Sequence, residues 1–208
     1  MNPVAVLRKV SERLAPGRAP SYMEAHVLKA LELASERSLG RAALGRRLGL
    51  GEGAARTMIR HLREAGLIEV SRRGISLTED GERVLAQLRR MTTGAEAPRS
   101  AHTVAAHNYA VLAKGAANLI RLGVEQRDAA LMAGARGATT LLYDGARFHM
   151  PGMEIEVEPT LARFLVNRLR PSAGDIVIIG TADTPSAAEI GAKTAALELL
   201  EEMEAGPD

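Results

Sequence analysis

Cysteine is absent from all 208 residues, which excludes disulfides, thiolate metal ligands and a cysteine nucleophile. Tryptophan is absent too, and aromatic residues make up only 2% of the chain. Modules for RNA and single-stranded DNA stack bases on exposed aromatic rings. A chain this poor in rings is therefore better suited to duplex DNA. Long apolar runs are missing as well. The longest clear one, Ile176–Ile179, is strand-sized and far short of the ~20 residues that cross a bilayer. The N-terminus lacks the basic start, apolar stretch and small-residue cleavage site of a signal peptide. These absences lead to the expectation of a cytoplasmic protein with no membrane association.

Charge is balanced overall but unevenly placed. Residues 1–100 hold 18 Lys and Arg against 11 Asp and Glu, a balance of +7, while residues 101–208 hold 9 against 14, a balance of −5. The net charge of +2 conceals this division. A basic half attracts a polyanion and an acidic half does not. Lys9, Lys29, Lys114 and Lys193 are the only lysines, so arginine carries most of the positive charge.

The basic half contains a recognisable pattern between Ser38 and Leu85. Ala42–Leu48 reads as a short apolar-periodic helix and Gly49-Leu50-Gly51 as a break, with a longer helix from about Gly53 to Ala65 that stops at Gly66. Leu67–Val70 and Ile75–Thr78 read as strands around the turn Ser71-Arg72-Arg73-Gly74, and Glu79-Asp80-Gly81 opens a helix to about Arg90. This succession is that of a winged helix-turn-helix. At about 100° per residue, Ala55, Met58, Ile59, Leu62 and Ala65 share one face of the longer helix. Gly53, Arg56, Thr57, Arg60 and Glu64 share the other, with Arg63 at its edge. In this architecture the N-terminal part of the second helix enters the major groove. Arg56 and Arg60 are then the base-reading candidates, because a guanidinium bonds guanine O6 and N7 together. Thr57 suits a phosphate or a thymine methyl, and Arg72 and Arg73 at the wing tip suit backbone or minor groove. A solvated helix face would also explain isolated arginines; the coincidence of helix and wing charges favours DNA.

Around this core, residues 3–14 form an expected amphipathic helix with Val6, Leu7, Val10 and Leu14 apolar, stopped by Pro16-Gly17 and Pro20. Ser21-Tyr22-Met23-Glu24 has capping-box spacing and starts a helix to about Ala34 that buries Val27, Leu28, Leu31 and Ala34. Residues 1–91 thus form the expected DNA-binding domain. Residues 92–101, small and polar, read as a linker, and residues 102–208 as a second domain.

The second domain alternates strands and helices. Asn108–Ala113, Thr139–Tyr143, Arg147–Met150 and Asp175–Ile179 read as strands, with Asp144-Gly145 as a hairpin turn because both residues tolerate positive φ. Val124–Ala133, Pro159–Leu169 and a stretch from Pro185 to about Met203 read as helices. The order β-α-β-β-α-β-α suits a ferredoxin-like α/β sandwich with an extra C-terminal helix; a small doubly wound sheet is the alternative. The fold class of the whole chain is α+β.

Catalytic constellations are not evident. His26 reads as a packed core histidine and His61 as a surface residue beside the arginine face. His102, His107 and His149 have no helix-spaced pairing that would make a metal site. Glu154, Glu156 and Glu158 alternate as the solvent face of a strand would. The expectation is a non-enzyme with no cofactor and no metal. An anionic effector has weaker support. Lys114, Arg127 with Asp128, Arg136 and Thr181 are candidates to bind one, the last on a strand running into the Pro185 helix, whose N-terminal N–H groups favour anions. An ordinary N-cap at Asp183 or Thr184 explains that junction equally well.

Glu125–Leu131, the following Gly134–Thr140 and the later Gly174–Ala182 resemble a family of archaeal proteins in which a winged helix is fused to a C-terminal domain of unknown function. The resemblance implies an archaeal source and a transcriptional regulator, and it carries over no ligand or catalytic residue. The reading that follows is a homodimeric, sequence-specific regulator of duplex DNA, whose second domain senses a small molecule or mediates assembly. The rivals are an enzymatic second domain and a winged helix that binds protein.

Overall fold

The computed structural model describes residues 2–12, 21–153 and 155–205. The chain divides into two compact units, residues 1–89 and 90–208. The Pro16-Gly17-Pro20 stop, Leu14 and Glu154 lie outside the described residues.

Unit 1 is built on helices α1 (Pro3–Ser11), α2 (Glu24–Glu36), α3 (Arg41–Leu48) and α4 (Glu52–Glu64), followed by strands β1 (Ile68–Ser71) and β2 (Gly74–Leu77) and helix α5 (Glu79–Met91). Leu7, Leu31, Leu44, Met58, Leu62 and Leu85 are fully buried in its core. Val27, Leu28, Leu31 and Ala34 are buried along α2 as its periodicity requires. Its start differs from the expected capping box. Met23 is the N-cap and its N–H donates to Nδ1 of His26 at 3.3 Å, while Ser21 is exposed. Burial, followed by the nearby Lys29 charge, pushes the His26 imidazole down to about 4, so it stays neutral.

The turn between α3 and α4 depends on Gly49, which sits at φ 71° and sends its N–H back to α3; only glycine takes that left-handed conformation without penalty. β1 and β2 pair antiparallel from Ile68↔Leu77 to Ser71↔Gly74. Leu39, just before α3, adds a bridge to Ile75 through reciprocal backbone hydrogen bonds of 3.2 and 2.9 Å.

Unit 2 holds a five-stranded sheet of β3 (Thr92–Ala97), β4 (His107–Ala113), β5 (Gly137–Tyr143), β6 (Phe148–His149) and β7 (Asp175–Ala182), with helices α6 (Val124–Met132), α7 (Pro159–Leu169) and α8 (Pro185–Ala205). The succession β4-α6-β5-β6-α7-β7-α8 is the one the sequence predicts, but the sheet order is β3-β4-β7-β5-β6, all neighbours antiparallel. A ferredoxin-like sheet would place the second strand of the hairpin between β4 and β5. Here β7 fills that gap and β6 is left at the edge.

The helices also cover both faces. Ala110, Leu112, Val177 and Ile179 meet Leu161, Leu165 and Leu169 of α7 on one side. On the other, Gly180 lets α8 approach closely; a Cβ there would lie 2.5 Å from the Ala188 carbonyl and 2.8 Å from the Ala192 nitrogen. α6 packs on the same side as α8, against it and β5. All eight residues of β7 are consequently buried, which is why its apolar run does not alternate.

Two expectations are corrected here. Residues 92–97, read as linker, form β3 and pair along their whole length with β4. Their small, polar side chains hide a strand that β4 templates through backbone hydrogen bonds. The acidic alternation around Glu156 is not a strand; Glu156 makes only an isolated bridge to His149. The Asp144-Gly145 turn is present. Gly145 has φ 101°, and the Asp144 N–H reaches the Arg147 carbonyl at 3.1 Å. The His149 hydrogen bond, then the Arg147 and Ala146 N–H groups, hold the Asp144 carboxyl well below the usual carboxylate range.

Candidate nucleic-acid interface

Helix α4 buries Ala55, Met58, Ile59 and Leu62 and leaves Gly53, Arg56, Arg60, Arg63 and Glu64 exposed. Ala65, expected on the buried face, caps the helix and is exposed. Each proposed base reader has a carboxylate one turn away. Arg56 Nη2 is 2.6 Å from Glu52 Oε1, and Arg60 Nε is 4.0 Å from Glu64 Oε1, with every partner more than half exposed. Exposed pairs of this kind contribute about 0–1 kcal/mol. They order the guanidinium groups and yield readily to a phosphate or a base edge. Thr57 is partly buried and its hydroxyl donates to the Gly53 carbonyl at 3.0 Å. With that proton engaged, the methyl is its free contact.

Arg72 and Arg73 are exposed at the hairpin tip. The tip is held firmly: Arg73 N–H donates to Ser71 Oγ at 3.1 Å, and Ser38 Oγ donates to the Arg73 carbonyl at 2.9 Å. Gly74 has φ 123°, and a Cβ on it would lie 2.7 Å from Ser38 Oγ. The segment leading into α3 therefore fixes the tip that carries the two arginines.

Helix α3 supplies residues that the sequence reading missed. Arg41 and Arg46 line, with Arg56, a groove of about 480 Å³ whose floor includes Gly45, Leu50, Ala55 and Ile59. The helices are close here, since a Cβ on Gly45 would sit 3.1 Å from that of Ala55. Among the described residues, Arg41, Arg46, Arg63, Arg72 and Arg73 form no ion pair, whereas Arg47 reaches Glu36 at 3.6 Å. The available signal was the density of arginine on so short a helix.

His61 is a correction. Expected on the surface, it is 6% exposed. Its Nδ1 lies 2.5 Å from the Tyr22 hydroxyl and 3.3 Å from the Val10 carbonyl, and Tyr22 also donates to Val10 at 3.2 Å. This network ties α4 to α1 and to the start of α2. Burial raises the Tyr22 phenol to about 12 against the opposing charge of Arg60, so it remains a neutral donor.

The candidate effector residues do not form one site. Arg127 pairs with the adjacent Asp128 at 3.1 Å. Arg136 pairs with Asp183 at 2.7 Å, and its backbone N–H donates to the Thr181 carbonyl. Thr181 is buried, and its Oγ1 accepts from the Ala105 N–H at 2.8 Å. Lys114 follows the end of β4 whose Ala113 pairs with Ile176. That is five residues along β7 from Thr181, or about 17 Å at strand rise. Thr184 caps α8, its Oγ1 accepting from the Ala187 N–H at 3.2 Å. The junction that suggested anion binding is thus an ordinary cap. Among the described residues no group of three or more His, Asp or Glu converges as metal ligands, and no helix is long and apolar enough to cross a membrane.

Residues 25–92 match the family model described as the CggR N-terminal DNA binding domain, and residues 104–199 match a domain of unknown function, DUF4443. No curated protein matches the chain. Among solved structures, a hypothetical protein from Pyrococcus horikoshii OT3 is similar over 87% of this chain and 94% of its own, with a TM-score of 0.70 and 25% identity. The N-terminal unit is therefore similar to a DNA-binding domain, and the C-terminal unit to a domain whose role its name leaves open.

Proposed function

We propose that the chain is a sequence-specific transcriptional regulator that binds duplex DNA through a winged helix-turn-helix and acts as a homodimer. One observation carries the reading. In a unit that matches a DNA-binding family, the exposed face of α4 presents Arg56 and Arg60 while a pinned hairpin tip presents Arg72 and Arg73. α4 enters the major groove with Arg56 and Arg60 toward base edges, and the tip grips the sugar–phosphate backbone as a wing. The C-terminal unit serves assembly; its candidate effector residues are scattered or already paired, which favours that role over sensing an anion.

Fluorescence anisotropy with a selected operator and its single-base variants tests this. Arg56→Ala and Arg60→Ala are each expected to lose about 1–3 kcal/mol of discrimination at one base pair. Arg72→Ala and Arg73→Ala should weaken all sequences alike. Unchanged sequence preference in both α4 variants would remove α4 as the reading helix.

A further inference from the structure

Among the described residues, the exposed large hydrophobic side chains are Val104, Leu122, Val124, Leu131, Met132, Met153, Ile155 and Val166. All belong to unit 2. Three of them, Met153, Ile155 and Val166, line one cavity of about 540 Å³ between the β6 edge and α7, with Arg147 and Glu156 in the same lining. Leu122 extends the tract, because its Cδ2 lies 2.7 Å from where a Cβ on Gly152 would be. Exposures of 64% for Leu122, 57% for Met153, 48% for Ile155 and 38% for Val166 amount to roughly a few hundred Å² of apolar surface, comparable to the largest patch on a monomer, which is often functional.

The charges on this surface indicate what covers it. Arg147 and Glu156 form no ion pair among the described residues, although Glu156 bridges to His149, two residues from Arg147. A surface shaped for an acidic or a basic partner carries one sign. A twofold contact instead sets a patch against itself, so that residue i meets j and j meets i. Opposite, unpaired charges on one apolar patch meet that requirement.

We infer that the tract formed by Leu122, Met153, Ile155 and Val166 is the interface with a second copy of this chain, each Arg147 pairing with Glu156 of the other copy. This deepens the dimeric part of the proposed function and assigns it a surface. The two-residue β6 leaves little strand to extend, so side chains carry the contact.

Sedimentation velocity on the full chain without DNA, across the micromolar range, reads this contact alone. The wild type is expected to sediment as a dimer, and Ile155→Asp and Val166→Asp as monomers. Arg147→Glu and Glu156→Arg should each weaken dimerisation by about tenfold, the scale of a lost interfacial charge pair. The double reversal Arg147→Glu/Glu156→Arg should restore it. Because Arg147 and Glu156 are at the surface, the reversal variants should keep the wild-type circular dichroism spectrum, and rescue by the double variant excludes a folding defect. A wild type that stays monomeric would overturn the inference. So would a dimer indifferent to Ile155→Asp, or single reversals that the double does not rescue. Loss of DNA binding in a protein that still dimerises would instead count against the DNA-binding reading.

Discussion

The two units keep opposite things on their surfaces. Unit 1 exposes arginine on α3, on α4 and at the hairpin tip, while its large apolar side chains are buried or half-buried among the described residues. Unit 2 exposes apolar side chains and pairs Arg127 and Arg136 with neighbouring carboxylates. Clustered, exposed guanidinium groups, free or held in weak exposed ion pairs, suit a polyanion whose counterions are released on contact. Exposed methyl and methylene groups suit another protein surface. The contrast teaches that the two activities of the proposed regulator, reading DNA and assembling, can be altered separately.

The most damaging test of that separation concerns the interior. A Cβ on Gly81 would lie 2.1 Å from the Leu67 carbonyl oxygen, a backbone atom that cannot turn aside. Gly81→Ala is expected to cost about 3 kcal/mol or more, beyond ordinary overpacking, in urea unfolding followed through unit 1. Hydrogen exchange in β4 and β7 should stay slow; equal loss of protection in both units would break the comparison.

Next in size is the joint removal of Arg41 and Arg46. If both contact phosphates, Arg41→Ala/Arg46→Ala should make the slope of log K against log salt shallower by about 2, with sequence preference intact. An unchanged slope would return the groove between α3 and α4 to mere surface.

Gly53 gives a smaller and more diagnostic effect. No atom lies within 4 Å of where its Cβ would be, and it occupies the first turn of α4. Gly53→Ala should stabilise the fold by about 0.5–1 kcal/mol, since glycine is costly within a helix. If the backbone there approaches DNA, the same variant should bind the operator less tightly. A gain in stability with full affinity would remove Gly53 from the interface.

A last test uses pH. His26 has its pKa lowered to about 4 in the folded chain, against 6.5 for the free side chain. The unfolded chain therefore binds the proton more readily. The contribution is fully present above pH 6.5 and declines as pH falls toward 4. Chemical denaturation of His26→Gln should show a flatter dependence over that range than wild type; parallel curves would mean that His26 is not the group responsible.

Most elements of the fold were legible because their signals are local. The helix Pro159–Leu169 has the bounds its first-turn proline and periodicity indicate, and Asp144-Gly145 marks its hairpin. β3 was illegible because Thr92-Thr93-Gly94-Ala95-Glu96-Ala97 has no strand alternation of its own and becomes a strand only through β4. Strand order escaped for a similar reason, as the apolar run Ile176–Ile179 of β7 declares burial on both faces but not which neighbours provide it. Within the candidate site, the arginine face of α4 followed from the helical wheel. The burial of His61 did not, because it depends on Tyr22 and on Val10 of another helix. Thr181 was legible as a strand-end polar residue, yet it is buried and its hydroxyl accepts from the N–H of Ala105, distant in sequence.

The central claim is that unit 1 reads duplex DNA. Its most direct test is selection by the purified chain on random-sequence duplexes over a series of salt concentrations. The account predicts recovery of a palindromic motif whose affinity falls steeply with salt. Weak binding with no preferred sequence, at any salt, would contradict it.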